Sequence, residues 1–168
     1  VGMGDMGMAP WHTYRYYAGP VVYPFGHGLS YTTFTTKVSA PPAAVAPGAP
    51  AKVRVTVTNT GAHPSDHVLL AFVHPPPCAD QGLVVGDGED DAVRLDRCHR
   101  IHPHRKLVRF TRERAIAPGA ARVWEVELGW KDLGDYDDAG ELVVRPGEYR
   151  VVVDEAEARV RVESAVVV

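Results

Sequence analysis

Residues 52–59 alternate without a break: Val53, Val55 and Val57 fall on one side, Lys52, Arg54, Thr56 and Thr58 on the other. Successive side chains of a strand point to opposite faces, so a period of two buries the valines and leaves the polar groups in water. A helix would scatter the same valines around its circumference. This stretch is therefore one wall of a β-structure with a single wet face. The period continues along the chain. Residues 29–40 read as a first strand, with Phe34-Thr35-Thr36-Lys37-Val38 alternating, and residues 66–74 (DHVLLAFVH) are apolar on both faces, as a central strand is. Pro75-Pro76-Pro77 stops that strand. Further strands are expected at 106–116, at 122–128 with Trp124, Val126 and Leu128 on one face, and at 141–144, 149–153 and 158–162. Asn59-Thr60-Gly61, Ala117-Pro118-Gly119, Asp138-Ala139-Gly140 and Pro146-Gly147 supply turns between them, and residues 130–133 a short turn of their own. No segment carries a helical period. Seven or eight short strands separated by turns imply an all-β sandwich.

A chain of 168 residues suits one domain, or one domain with an arm, and is long enough to form a core without metals. Its formal net charge of −3 argues against a nucleic-acid binder, which needs a basic face. No apolar run reaches the length of a membrane span. The first residues, VGMGDMGMAP, lack the apolar core of a signal peptide, and the chain does not begin with Met. A processed product or a fragment of a longer protein is the expectation.

The most unusual stretch is VVYPFGHGLSYTTF, residues 21–34, with Tyr23, Phe25, Tyr31 and Phe34 around a Pro-Phe-Gly-His-Gly bend. Pro24 fixes one φ angle, and Gly26 and Gly28 permit backbone geometry that other residues resist. Thr13-Tyr14-Arg15-Tyr16-Tyr17 precedes it, too aromatic for a free tail. Together these two stretches resemble the C-terminal part of glycoside hydrolase family 3, the β-glucosidases and β-xylosidases, at the approach to a fibronectin type III-like domain. The resemblance continues in order through Val55-Thr56-Val57-Thr58-Asn59-Thr60-Gly61, Ala117-Pro118-Gly119 and Val144-Arg145-Pro146-Gly147-Glu148-Tyr149, and so spans roughly residues 12–163. Residues 78–105 depart from it. They hold the acidic run Asp87-Gly88-Glu89-Asp90-Asp91 and then turn basic and His-rich.

The resemblance implies an aromatic arm at 1–28 packing on a neighbouring domain, a fibronectin type III/immunoglobulin-like β-sandwich of about seven strands at 29–163, and a tail at 164–168. Tyr14, Tyr16, Tyr17, Tyr23, Phe25, His27 and Tyr31 are the candidate interface residues. It further implies a parent enzyme that removes β-linked glucose or xylose, extracellular, secreted or cell-wall associated. Its partners would be the catalytic domains of that parent, with polysaccharide as a further ligand. In that family the nucleophilic Asp lies in an N-terminal barrel and the acid/base residue in a second domain. No catalytic residue carries over onto this chain. A free-standing carbohydrate-binding module, or a structural module of an extracellular assembly, is the alternative.

Other constellations are weaker. Glycoside hydrolysis needs two carboxylates across the scissile bond, but Asp135, Asp137, Asp138 and Glu141 read as a solvated hairpin. Ser30 with His27 lacks a base-orienting acid. The available sugar-stacking platforms, Trp11, Trp124 and Trp130, include two with core roles. Cys78 and Cys98 are the disulfide candidate; closing the 19 residues between them would stabilise an exported domain by ~3 kcal/mol on a chain-entropy estimate. Two free thiols are the next reading, and a zinc site drawing on Cys78, Cys98, His99, His102 and His104 is disfavoured by its spacing. Met3, Met6 and Met8 are read as packing, not as a copper site, and the acidic run lacks calcium-loop spacing. No metal and no cofactor are expected.

Overall fold

The computed structural model describes residues 13–17, 19–40, 45, 49–77, 83–85, 93–95, 103–136, 140–164 and 166–167. Among these, the elements in chain order are β1 (Phe34–Ser39), β2 (Ala51–Asn59), β3 (Ser65–His74), β4 (Leu83–Val85), β5 (Val93–Leu95), β6 (Lys106–Ile116) and β7 (Ala121–Leu128). A one-turn helix α1 (Trp130–Leu133) follows, then β8 (Asp135–Tyr136), β9 (Leu142–Val144), β10 (Gly147–Val153), β11 (Ala156–Val162) and β12 (Val166–Val167).

Two antiparallel sheets make the sandwich: three strands in the order β1-β2-β7 and four in the order β11-β10-β3-β6. Their seven strands match the number expected from the alternation. Val53, Val55 and Val57 of the first sheet share one core with Leu69, Ala71 and Val73 of β3 and with Val151, Val153 and Val160 of the second. Valine suits this position because a branched Cβ packs well on a pleated, half-buried surface. Trp124 and Trp130 lie partly buried against the same core, Trp124 on β7 and Trp130 at the edge. A small sheet, β12-β9-β8, stands apart from both, and β4 pairs with β5 inside the stretch that the sequence left irregular.

Outer faces differ between the sheets. On the three-stranded sheet, Lys52–Glu127 at 3.1 Å and Arg54–Glu125 at 2.9 Å pair across β2 and β7 in water. On the four-stranded sheet, the β10–β11 half is similarly charged, with Arg159–Glu148 at 2.8 Å and Arg150–Glu157 at 3.4 Å. Its β3–β6 half is largely apolar, with Val68, Leu70 and Phe72 on β3 and Phe110 beside Leu70 on β6, and carries the Arg112–Asp66 pair at 3.0 Å toward the start of β3. That half requires a cover, which fixes where the rest of the chain goes.

Three local devices pin the loops. Tyr149 is fully buried at the start of β10; its hydroxyl donates to the carbonyl of Arg145 at 3.0 Å and accepts the Arg145 N–H at 3.1 Å. This is the tyrosine corner of immunoglobulin-like sandwiches. Burial pushes the Tyr149 phenol up to about 12. Arg109 grips Asp132 of α1 with both terminal nitrogens, at 2.7 and 2.9 Å, while Asp132 also accepts the Gly129 N–H at 2.8 Å. At the open edge of β11, Val45 donates its N–H to Arg161 at 2.9 Å and buries its side chain, shielding an edge that would otherwise invite pairing.

Boundaries moved in several places. Residues 29–40 were expected to be strand throughout, but β1 begins only at Phe34. Phe34 pairs with Asn59, the last residue of β2, and just before it the Thr33 carbonyl accepts the Thr60 N–H at 2.9 Å where the chain turns, so the ladder goes no further. Residues 130–133 form a helical turn instead of a simple reversal because Asp132 caps its own start. Val166–Val167, assigned to the tail, pair with β9.

Candidate functional site

Residues 13–17 and 19–34 lie along the apolar half of the four-stranded sheet, from the Phe72 end of β3 to its Ser65 end. At the start, a turn closes through the N–H groups of Tyr16 and Tyr17 donating to the Thr13 carbonyl at 3.0 and 2.9 Å. Tyr14 then stacks on Phe25, with centroids 4.3 Å apart and planes 15° from parallel, and both rings meet Phe72 edge-on, at 5.9 and 6.2 Å. Such pairs add about 0.5–1.5 kcal/mol each beyond their area burial. Arg105 lies over the Phe72 and Tyr14 rings, its Cζ 5.1 and 5.9 Å from the centroids, and its Nε donates to the Tyr14 carbonyl at 3.2 Å. The arm is thus fastened to β3 and to the entry of β6.

Gly26 makes the next contact. Its φ is +90°, and a Cβ there would stand 2.5 Å from Leu70 Cδ1. The backbone conformation is what calls for glycine, since the Leu70 methyl ends a flexible side chain that can turn aside. His27 donates its N–H to the Pro24 carbonyl at 3.0 Å, closing the bend, and its ring stacks on Tyr23 at 4.9 Å. Further along, Ser30 Oγ lies 3.5 Å from Ser65 Oγ. The arm ends at Asn59, a fully buried polar side chain. Its Oδ1 accepts from Thr32 Oγ1 at 2.8 Å and from the Gly61 N–H at 3.0 Å, and its Nδ2 donates to the His63 and Ile116 carbonyls, each at 2.8 Å. One amide therefore joins the arm to two turns.

The expected interface residues divide into two groups. Tyr14 lies half-buried and, with one face of Phe25, is held against β3; Tyr16 and Tyr17 are also half-buried, the Tyr17 hydroxyl donating to the Pro20 carbonyl at 3.3 Å. Tyr23, His27 and Tyr31 point into solvent, Tyr31 with 97% of its surface exposed. Of the ten large apolar side chains standing exposed among the described residues, six lie in 21–31 and the others include Val68 and Phe110, so exposure concentrates on the arm and the sheet beside it. The sequence reading missed Leu70, Phe72 and Arg105. The signal for the first two was there, in a strand apolar on both faces.

The rest of the surface has other duties. Asp135 pairs with Lys106 at 3.2 Å, and Lys106 also donates to the Gly134 carbonyl, so this carboxylate is a fastener between β6 and β8. Asp154, at φ +54° in the β10–β11 turn, accepts from Thr36 Oγ1 at 2.5 Å and lies 2.9 Å from His67 Nε2. Burial works to raise its pKa, but those two bonds outweigh it and hold the carboxyl below its usual value. His74, at the end of β3, is pushed down to about 4 by burial and by the nearby Arg150 guanidinium. Among the described residues no three His, Cys, Asp or Glu side chains converge on a possible metal position. Cys78, Cys98, His99, His102, Asp137 and Asp138 lie outside the described residues.

Comparison with known proteins agrees with this architecture. Residues 93–157 match the family profile of the fibronectin type III-like domain. The chain is 31% identical to the probable exo-1,4-beta-xylosidase bxlB of Aspergillus fumigatus over 95% of its own length and 21% of that protein's. It is 27% identical to Beta-D-xylosidase 1 of Arabidopsis thaliana over 97% of this chain and 22% of that one. Its fold superposes on a beta-glucosidase from Erythrobacter marinus with a TM-score of 0.66, at 27% identity, over 83% of this chain and 17% of that one. The chain carries a fibronectin type III-like domain, and along most of its length it is similar to part of larger β-xylosidases and β-glucosidases. A beta-glucosidase from Thermotoga neapolitana shares the fold, with a TM-score of 0.65 at 24% identity. This fibronectin type III-like chain spans about a fifth of the length of the relatives it matches. No helix among its described residues is long and apolar enough to cross a membrane.

Proposed function

We propose that this chain is the non-catalytic C-terminal module of a secreted family 3 β-glycosidase acting on β-linked xylose or glucose, and that its arm seats it against the catalytic domains of the same polypeptide. The observation that carries this reading is the arm itself. Leu29 and Tyr31 stand 97% exposed on a segment whose inner side is anchored by Tyr14, Phe25 and Gly26. An ordered segment that holds apolar groups outward is a surface shaped for a partner. Fastening the catalytic domains to a sandwich of this kind stabilises them without supplying chemistry.

Hydrogen–deuterium exchange on the full-length polypeptide tests the seating. Among the described residues, the 21–31 backbone makes one hydrogen bond to itself, from His27 to Pro24. Its amides exchange fast unless another domain covers them. Protection of 21–31 to the level of β2 supports the reading; rapid exchange there overturns it and favours a free-standing module. Release of xylose or glucose from aryl β-glycosides by the same polypeptide tests the activity.

A further inference from the structure

We propose that the seat of this domain is wider than its arm, and that Phe110 on β6 is a second apolar anchor, covered by the catalytic part of the same polypeptide. The inference rests on the interdomain reading above and extends the surface that reading names. Phe110 stands 74% exposed on the outer face of the four-stranded sheet. It pairs with Leu70 of β3, the residue on which the arm rests its Gly26 bend. Val68, 48% exposed, lies diagonally across the ladder from it.

The arm's contacts run along β3 and leave the middle of β6 bare. Tyr14 and Phe25 meet Phe72, Gly26 meets Leu70, and Ser30 lies beside Ser65. Phe110 and Val68 therefore continue, at the level of the sheet, the apolar strip that Leu29 and Tyr31 hold outward from the arm. A single exposed phenylalanine is ordinary; one that adjoins an outward apolar strip belongs to a patch.

The surroundings of Phe110 suit a protein surface better than a sugar chain. The nearest charges along β6 are held by aspartates of this domain, Arg109 by Asp132 at 2.7 Å and Arg112 by Asp66 at 3.0 Å. A saccharide calls for polar side chains aimed at its hydroxyls beside the stacking ring. Across the ladder Phe110 meets Leu70 and Val68 instead. An aromatic ring with apolar neighbours and paired charges around it has the make-up of an interface anchor. The occupant is argued from size and continuity. This chain spans about a fifth of the length of the relatives it matches, so the rest of such a polypeptide is large enough to lie over arm and sheet together. A body seated on the outward side of the arm also comes to the edge of β6.

Photo-crosslinking on the full-length polypeptide tests this. Phe110→p-benzoylphenylalanine keeps an aromatic side chain, and irradiation is followed by peptide mapping. The expected adduct joins position 110 to a peptide of the same polypeptide outside these 168 residues. The same label at Val123, 58% exposed on the three-stranded sheet, sets the background yield. An adduct confined to the 168 residues, an adduct to a second polypeptide, or a yield no higher than at Val123 overturns the proposal. Hydrogen–deuterium exchange separates it from the reading beneath. Protection of 21–31 without the adduct at position 110 keeps the interdomain seat and confines it to the arm. Fast exchange at 21–31 removes both.

Discussion

Asn59 makes four hydrogen bonds with one side chain, from the interior of the domain, to partners in three separate segments. Asn59→Ala would leave the buried Ile116 carbonyl without that partner, and the outer His63 carbonyl and Gly61 N–H would lose it where water and the Thr33 carbonyl can partly replace it. Unmet buried groups cost about 1–3 kcal/mol each, and part of that returns through relaxation. We expect a loss of roughly 2–4 kcal/mol, read as a lower urea midpoint. The neighbouring Gly61 explains why the turn tolerates little else, since a Cβ there would stand 2.7 Å from the Thr33 backbone nitrogen. His74 governs a pH effect. Its folded pKa is about 4 against an ordinary value of 6.5, because burial and Arg150 oppose its charge. Between those values the unfolded chain binds the proton and the folded one does not, so stability rises with pH. The contribution is complete above pH 6.5 and lost as pH falls through about 4. In His74→Gln the gap between urea midpoints at about pH 7.5 and about pH 4.5 should narrow.

Elements were legible where the period of two was strict. β2 lies where alternation places it, β6 covers the strand-like residues 106–116, and β3 ends at the prolines. The early end of β1 was not legible, because Ser30, Tyr31 and Thr32 have strand-like character and only the lack of a ladder partner removes them from the sheet. Nor was the route of the arm. Its aromatic content announced a surface, but whether Tyr14 and Phe25 face inward depends on Leu70 and Phe72, some 45 to 60 residues away. Only the tertiary structure joins them. At this scale Gly26 is decisive. Gly26→Ala puts a φ of +90° onto a residue that resists it and makes the Leu70 methyl turn aside. The expected result is a loss of roughly 1–3 kcal/mol and faster proteolysis within 19–34. Unchanged cleavage would show that the Leu70 contact does not hold the arm.

Across the whole molecule, polarity is arranged by face. Charge pairs cover the outside of the three-stranded sheet and the β10–β11 half of the other, where each is worth at most about 1 kcal/mol. Their usefulness is to keep those faces wet. The remaining face carries the arm, and beyond the arm stand Val22, Leu29, Tyr31 and Phe110. A domain with one unprotected side has a direction. Leu29→Asp asks whether that direction is used. In the domain standing alone, a side chain 97% exposed can be exchanged for a carboxylate with an effect within about 0.5 kcal/mol. Under a covering domain the same substitution buries a charge beside apolar groups, and the cost rises to about 2 kcal/mol or more. On the proposed interdomain seating, the full-length polypeptide carrying Leu29→Asp should unfold at a lower temperature by calorimetry, while its initial rate on aryl β-glycosides at low temperature should stay unchanged. An unchanged transition temperature would mean that Leu29 faces water in the complete protein, and the arm's apolar side would then need a partner from outside the polypeptide.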